Sequence, residues 1–204
     1  MVEDCLIKEK RKYEKAWGMP VYRLTSPGVQ SFPLFADHFQ PKEGETLIDL
    51  GCGTGRCGIL GLKYGLDVTL FDITHHALDR QVASLLVLNQ LHFVEGTLWD
   101  LSPNLEPFDW IYCCDVLEHL PTHKIDAALS RMAERTRKGG MLQIYLVEEP
   151  FGDFVDEVFH LTIKPLDWWL EQINKYWPIQ KVDEVIEGIR FCCFVGSGYD
   201  CPKQ

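Results

Sequence analysis

From residue 45 onward, short apolar runs alternate with segments whose apolar residues recur every three to four positions, the pattern of a parallel sheet covered by helices on both faces. ETLIDL (45–50) predicts the first strand, and GRCGILGLKYG begins as a glycine-rich turn and continues as a helix, with Gly65 placed to cap its C-terminus. DVTLFD (67–72), LHFVE (91–95) and FDWIYCC (108–114) predict strands two to four, with a helix over 75–88. Pro121 suits the first turn of the next helix, whose Ile125, Ala128, Leu129 and Met132 share one face and which Lys138-Gly139-Gly140 would end. MLQIYLV (141–147) is the fifth strand, and Pro165 opens a helix with Leu166, Trp169, Leu170, Ile173 and Trp177 on one face. TLWDLSPN (97–104) fits either a helix or a loop.

The last two apolar segments, KVDEVI and IRFCCFV, are joined by Glu187-Gly188 and predict an antiparallel hairpin. The expected fold is α/β, a Rossmann-like doubly wound sheet, mostly parallel, that closes with this hairpin. A dinucleotide-binding domain would more often continue with parallel units.

Composition narrows the reading. At 204 residues and 46% apolar residues, the chain is the size of one domain and can bury a substantial core. A net charge of −10 argues against broad attraction to nucleic acid, because phosphate neutralisation needs a surplus of Lys and Arg. The one basic cluster, Lys8, Lys10, Arg11, Lys12 and Lys15, reads as the solvated face of a short helix. Among the eight cysteines, the adjacent pairs Cys113-Cys114 and Cys192-Cys193 stand in apolar runs, where alternation sends neighbours to opposite sheet faces; they read as small buried residues. No C-x-x-C pair suggests a zinc ribbon or a dithiol site. The N-terminus lacks the apolar core of a signal peptide, and no apolar run approaches the ~20 residues of a membrane helix, so a cytoplasmic protein is expected.

The strongest local signal is LIDLGCGTGRCG, in which Gly51, Gly53 and Gly55 follow a buried strand and precede a helix. Such a loop lets the backbone turn sharply and brings a polar ligand to the N–H groups of a helix N-terminus. Gly53, Gly55 and Gly58 also satisfy G-x-G-x-x-G, which would cradle a pyrophosphate. Asp49, two residues before the first glycine, favours a cofactor with an ammonium group, namely the methionine end of S-adenosylmethionine. Asp72 ends the second strand where an acid would accept hydrogen bonds from two ribose hydroxyls, and Ile73 beside it would pack on an adenine.

LIDLGCGTGR, Asp72, VEGTLWD, FDWIYCCDVLEHL and RKGGMLQI together resemble, over about residues 43–148, the ordered motifs of class I S-adenosylmethionine-dependent methyltransferases. The resemblance implies a seven-stranded sheet, with residues 41–204 as the methyltransferase domain and residues 1–40 as an N-terminal arm or lid. It assigns Asp49, Gly51, Gly53 and Gly55 to the methionine moiety, Asp72 to the ribose, and Ile73, Thr97, Leu98 and Cys114 to the rest of the cofactor surface. Thr97 departs from the family, which often places there an acid that touches the adenine amino group; either backbone at Thr97 and Leu98 makes that contact or Asp100 reaches in.

DVLEHL (115–120), followed by His160 in HLTIKPLDWW, is similar to ubiquinone-pathway O-methyltransferases, and to the acid-x-x-Glu-His plus distant His set that binds a divalent metal in small-RNA 2′-O-methyltransferases. Asp115, Glu118, His119 and His160 are therefore the candidates for a metal, and whether one binds stays open. For a hydroxyl acceptor, His119 or His160 is the type of base that works near neutral pH, with Glu118 to orient it. The segment before the fold, with Tyr13, Trp17, Tyr22, Phe32 and a Ser26-Pro27-Gly28 turn, reads equally as a lid over the cofactor or as a packing arm. EEPFGDFVDEVFH (148–160) is a second candidate wall of the acceptor pocket.

The expected function is methyl transfer to a small molecule, most simply to oxygen. Strand four is not followed by the Asn/Asp-Pro-Pro-Tyr type of motif usual in base-amino methyltransferases. A nucleic-acid or glycan methyltransferase, a catalytically silent cofactor-binding protein and a nicotinamide-dependent oxidoreductase are the alternatives.

Overall fold

The strands predicted from 45 onward form, and they hydrogen-bond into one sheet in the computed structural model, which describes residues 2–24, 28–149, 152 and 157–196. Helices α1 (Val2–Trp17), α2 (Pro20–Leu24) and α3 (Gly28–Phe39) precede β1 (Thr46–Leu50). Then follow α4 (Arg56–Lys63), β2 (Asp67–Asp72), α5 (Arg80–Val87), β3 (His92–Glu95), β4 (Phe108–Cys114), α6 (Thr122–Glu134) and β5 (Thr136–Tyr145). The chain continues through α7 (Leu166–Asn174), β6 (Ile179–Ile186) and β7 (Arg190–Gly196). The strand order is β3-β2-β1-β4-β5-β7-β6, parallel except where β7 runs antiparallel to both β5 and β6. No helix among the described residues is long and apolar enough to cross a membrane.

Alternation sorts the strand residues into two cores. Ile48, Leu50, Ile111, Cys113, Leu142 and Cys193 face α6 and α7, whose Leu129, Met132, Trp169 and Ile173 cover them. Leu47, Leu70, Trp110, Tyr112, Met141 and Cys192 face α3 to α5, where Phe32, Phe35 and Val82 are fully buried. The adjacent cysteines thus split between faces as a strand requires. Gly65 follows α4 with a left-handed φ of 77°, and the amides of Gly65 and Leu66 bond back to Leu62 and Gly61, the expected helix stop.

Two expectations change and one open reading is decided. Lys138-Gly139-Gly140 does not end α6, which stops at Glu134; these residues lie inside β5. A Cβ on Gly140 would stand 2.1 Å from the carbonyl oxygen of Ile111 on the neighbouring strand, so close strand approach, not helix termination, requires that glycine. The 97–104 segment is a single 3-10 turn at Leu98–Asp100 followed by loop. The basic cluster is only partly a solvated face, because Lys12 is buried, paired with Glu9 and donating to the Val158 carbonyl at 3.1 Å, while Lys10 pairs with Glu95. The Ser26-Pro27 turn and most of 150–156 lie outside the described residues.

Candidate active site

The sheet order reverses between β1 and β4, and side-by-side strands whose connections leave in opposite directions open a crevice at their C-terminal ends. Gly51 stands directly after β1 and Asp115 directly after β4. Both line two cavities that meet there, with about 710 and 960 Å³ of space that opens to solvent.

The first cavity is lined by Asp72, Ile73, Thr97 and Leu98. Asp72 is buried; its Oδ2 accepts the Gly53 N–H at 2.8 Å and its Oδ1 the Thr74 N–H at 3.2 Å. It therefore shapes the glycine turn from across the sheet, and a carboxylate keeps lone pairs for two further donors. Burial still pushes its pKa up to about 6. Asp100 is exposed on its 3-10 turn and is not among the cavity-lining residues, whereas Thr97 and Leu98 are.

The second cavity is lined by Asp49, Gly51, Gly53, Cys114, Tyr145, Glu148, Glu149 and His160, among others. Gly51 and Gly53 have φ of 74° and 51°, and a Cβ at either would run into a neighbour, Val116 at 2.3 Å or Trp17 at 2.7 Å. Gly55 behaves differently. It lines neither cavity, and its missing side chain makes room for Val82, Leu70 and Leu78 beneath α5. Asp49 is buried and its Oδ2 has no hydrogen-bond partner among the described residues; burial, then the Asp72 charge, push its pKa up to about 8. A buried carboxyl oxygen left without a donor is costly unless something cationic fills the space beside it.

Glu118, His119 and His160 are brought together although about 40 residues separate the last two. The Glu118 carbonyl accepts the N–H groups of both Leu161 and Thr162 at 2.9 Å, which draws the 159–162 strip against the turn after β4. His119 Nδ1 lies 3.1 Å from the Phe159 carbonyl and His160 Nδ1 2.6 Å from that of Val147, so each ring donates from Nδ1 and keeps its Nε2 lone pair. Burial lowers both pKa values, most for His119, where His160 adds to the effect; both rings are neutral at pH 7. Glu118 Oε1 accepts the Tyr145 N–H at 3.0 Å, while Oε2 is buried without a partner among the described residues. One donor atom from each of the three lies within 4.8 Å of the others. Fixed Nδ1–H groups and a free carboxylate oxygen are the arrangement of metal-ligating side chains. Glu118 is not itself among the residues lining the two cavities.

Three contacts at the site carry little signal in the sequence. Trp17, there only one of four aromatics in the arm, lies over Gly53 and packs edge-on against Tyr22 at 4.7 Å, so α1 and α2 roof the junction of the cavities. Glu149 stands 3.9 Å from His160 Nε2. Gln143 is a polar residue in an otherwise apolar strand run, a signal that a partner must be waiting for it.

Residues 47–140 match the family described as a methyltransferase domain. The chain is 32% identical over 102 residues to a ubiquinone biosynthesis O-methyltransferase of Alkalilimnicola ehrlichii, covering 48% of this chain and 40% of that protein. It spans between a quarter and two fifths of the length of the first curated relatives it matches. Among solved structures, 1,6-didemethyltoxoflavin-N1-methyltransferase of Burkholderia thailandensis with S-adenosylhomocysteine superposes with a TM-score of 0.71 at 14% identity, over 95% of this chain and 88% of that one. Magnesium protoporphyrin IX methyltransferase of Synechocystis, also with S-adenosylhomocysteine, gives 0.63 at 20% identity, over 86% and 83%. At these identities the likeness is one of fold.

Proposed function

Residues 47–140 match a methyltransferase domain family, and from that premise we propose that the chain is a class I S-adenosylmethionine-dependent methyltransferase that transfers a methyl group from S-adenosylmethionine to a hydroxyl of a small molecule. The observation that carries the cofactor reading is the unpartnered Oδ2 of Asp49 at the glycine turn, a seat for the methionine ammonium. Asp72, Ile73, Thr97 and Leu98 hold the nucleoside in the adjoining cavity. When bound, the cofactor supplies a methyl group activated by its sulfonium charge. Gly51 and Gly53 bring backbone close to it, and Trp17 and Tyr22 of the arm close the site and exclude water. Alignment and dryness do most of the work in such a displacement. His119 or His160, neutral and with Nε2 free, accepts the hydroxyl proton.

Glu118, His119 and His160, with one donor atom each within 4.8 Å of the others, would together hold a divalent cation, which would lower the acceptor's pKa. Small-molecule acceptors are in keeping with the acidic composition and with relatives named for ubiquinone biosynthesis.

Two measurements test this reading. Calorimetry with S-adenosylhomocysteine is expected to give micromolar binding and no competition from a nicotinamide cofactor; the reverse preference would return the glycine loop to a dinucleotide. Titration with Mn²⁺ followed by electron paramagnetic resonance is expected to show one bound ion in the parent and at least about tenfold weaker binding in His160→Ala. Equal binding in both would leave the histidines as proton acceptors only. Cofactor binding with no turnover on any panel of phenols, glycans or RNA would favour a silent binding protein.

A further inference from the structure

Among the described residues, Asp115 is the one carboxylate that lines both cavities, and its backbone is unusual: φ is +55° at a non-glycine residue. Such a conformation persists only where the surroundings fix it. Here Gln143, fully buried in β5, fixes it at two points. Its carbonyl oxygen accepts the Asp115 N–H at 2.9 Å, and its side-chain Nε2 donates to Asp115 Oδ1 at 2.8 Å.

The amide of Gln143 is in turn held in one orientation. The hydroxyl of Ser31, on α3, donates to Oε1, and Cys192 Sγ on β7 lies 3.3 Å from the same oxygen. With both donors on Oε1, the NH₂ end has to face Asp115. Asp115 Oδ1 accepts that bond, and Oδ2 stays buried with no partner among the described residues.

We propose that Gln143 is a positioning residue, clamped by Ser31 and Cys192, that holds the free oxygen of Asp115 at the junction of the two cavities, against the positively charged centre of the bound cofactor. This rests on the cofactor reading above, in which nucleoside and methionine occupy one cavity each, so that the sulfonium and its methyl lie where the cavities meet. A fixed carboxylate there selects cationic occupants of that position over neutral ones.

The test uses full-length protein and three probes that share adenosine and amino-acid ends: S-adenosylhomocysteine, which is neutral at sulfur, S-adenosylmethionine, and sinefungin, which carries an ammonium at the methyl position. Binding of each is measured by calorimetry in the parent, in Gln143→Met and in Ser31→Ala. The parent is expected to prefer sinefungin to S-adenosylhomocysteine. Gln143→Met should lower that preference about tenfold, the scale of one hydrogen bond to a charged group, while S-adenosylhomocysteine affinity changes by less than about threefold. Ser31→Ala, which leaves the strand intact, should lower it in the same direction by less and keeps the test alive if Gln143→Met does not fold. An unchanged preference in a folded variant would make the clamp purely structural and overturn the proposal, as would a parent without any preference. A parent that binds none of the three would instead sink the cofactor reading.

Discussion

Asp72→Ala is expected to weaken S-adenosylhomocysteine binding by at least about 100-fold, which is some 2.7 kcal/mol. The loss has two sources. The side chain faces the first cavity, where its remaining lone pairs would receive hydroxyl donors, each worth about 1.5–3 kcal/mol for a charged acceptor. It also accepts the amides of Gly53 and Thr74, and removing it leaves both N–H groups without that partner at the turn proposed to receive the methionine end. Asp72→Asn keeps one acceptor oxygen and should fall between parent and alanine variant. Calorimetry at one pH, with a thermal melt to show each variant is folded, decides the matter. Binding of the alanine variant within about threefold of the parent would remove Asp72 from the site.

Asp49→Asn should stabilise the ligand-free protein at pH 8 while abolishing most of its cofactor affinity. Burial and the Asp72 charge push Asp49 up to about 8, and burial pushes Asp115 up to about 7, both from near 3.8 when unfolded. The folded state therefore keeps protons that the unfolded chain has already released, so this contribution to stability is complete below pH 3.8 and declines as pH rises through 7 and 8. Glu118 and Glu149, also raised by burial, act in the same sense.

His119 and His160, lowered by burial, act in the opposite sense, but only below about pH 6.5, where the unfolded histidines take up protons. Between pH 6.5 and 8 the carboxyl groups are left unopposed. One group titrating over that interval corresponds to about 2 kcal/mol. Urea denaturation of the parent at pH 6.5 and 8 should show that fall, Asp49→Asn should show a smaller one, and saturating S-adenosylhomocysteine should offset it by placing an ammonium beside Asp49. Stability that rises through this window would contradict the assignment of Asp49 as a buried carboxyl awaiting a cation.

Both predictions concern residues that the linear pattern already marks, and they are marked for a local reason. Asp49 and Asp72 stand at fixed offsets within or beside a strand and a glycine turn, so the chain alone brings them near each other once β1 and β2 pair, Asp49 with Leu70 in the register. The strands are legible because period-two alternation must match a two-sided core. The hairpin at Glu187-Gly188 is legible because antiparallel neighbours need only a short turn. Legibility fails where a residue type has two uses. Gly139 and Gly140 have the composition of a helix stop, yet Gly140 serves close packing of β5 on β4 and Gly139 close packing of β5 on β7, which depends on strands distant in sequence.

From residue 45 onward, periodicity and neighbours along the chain suffice to place the strands and most of the helices in order, with the glycine turn and the two acids around it. They do not specify that Glu118 gathers His119 and His160 through its carbonyl bonds to residues 161 and 162, that Trp17 roofs Gly53, or that Ser31, Gln143 and Cys192 converge on Asp115; those arise only when the elements pack. The last of these joins residues 31, 115, 143 and 192 through side-chain hydrogen bonds across separate elements. Their existence depends on packing distances and buried hydrogen-bond demand, for which a linear pattern carries no period.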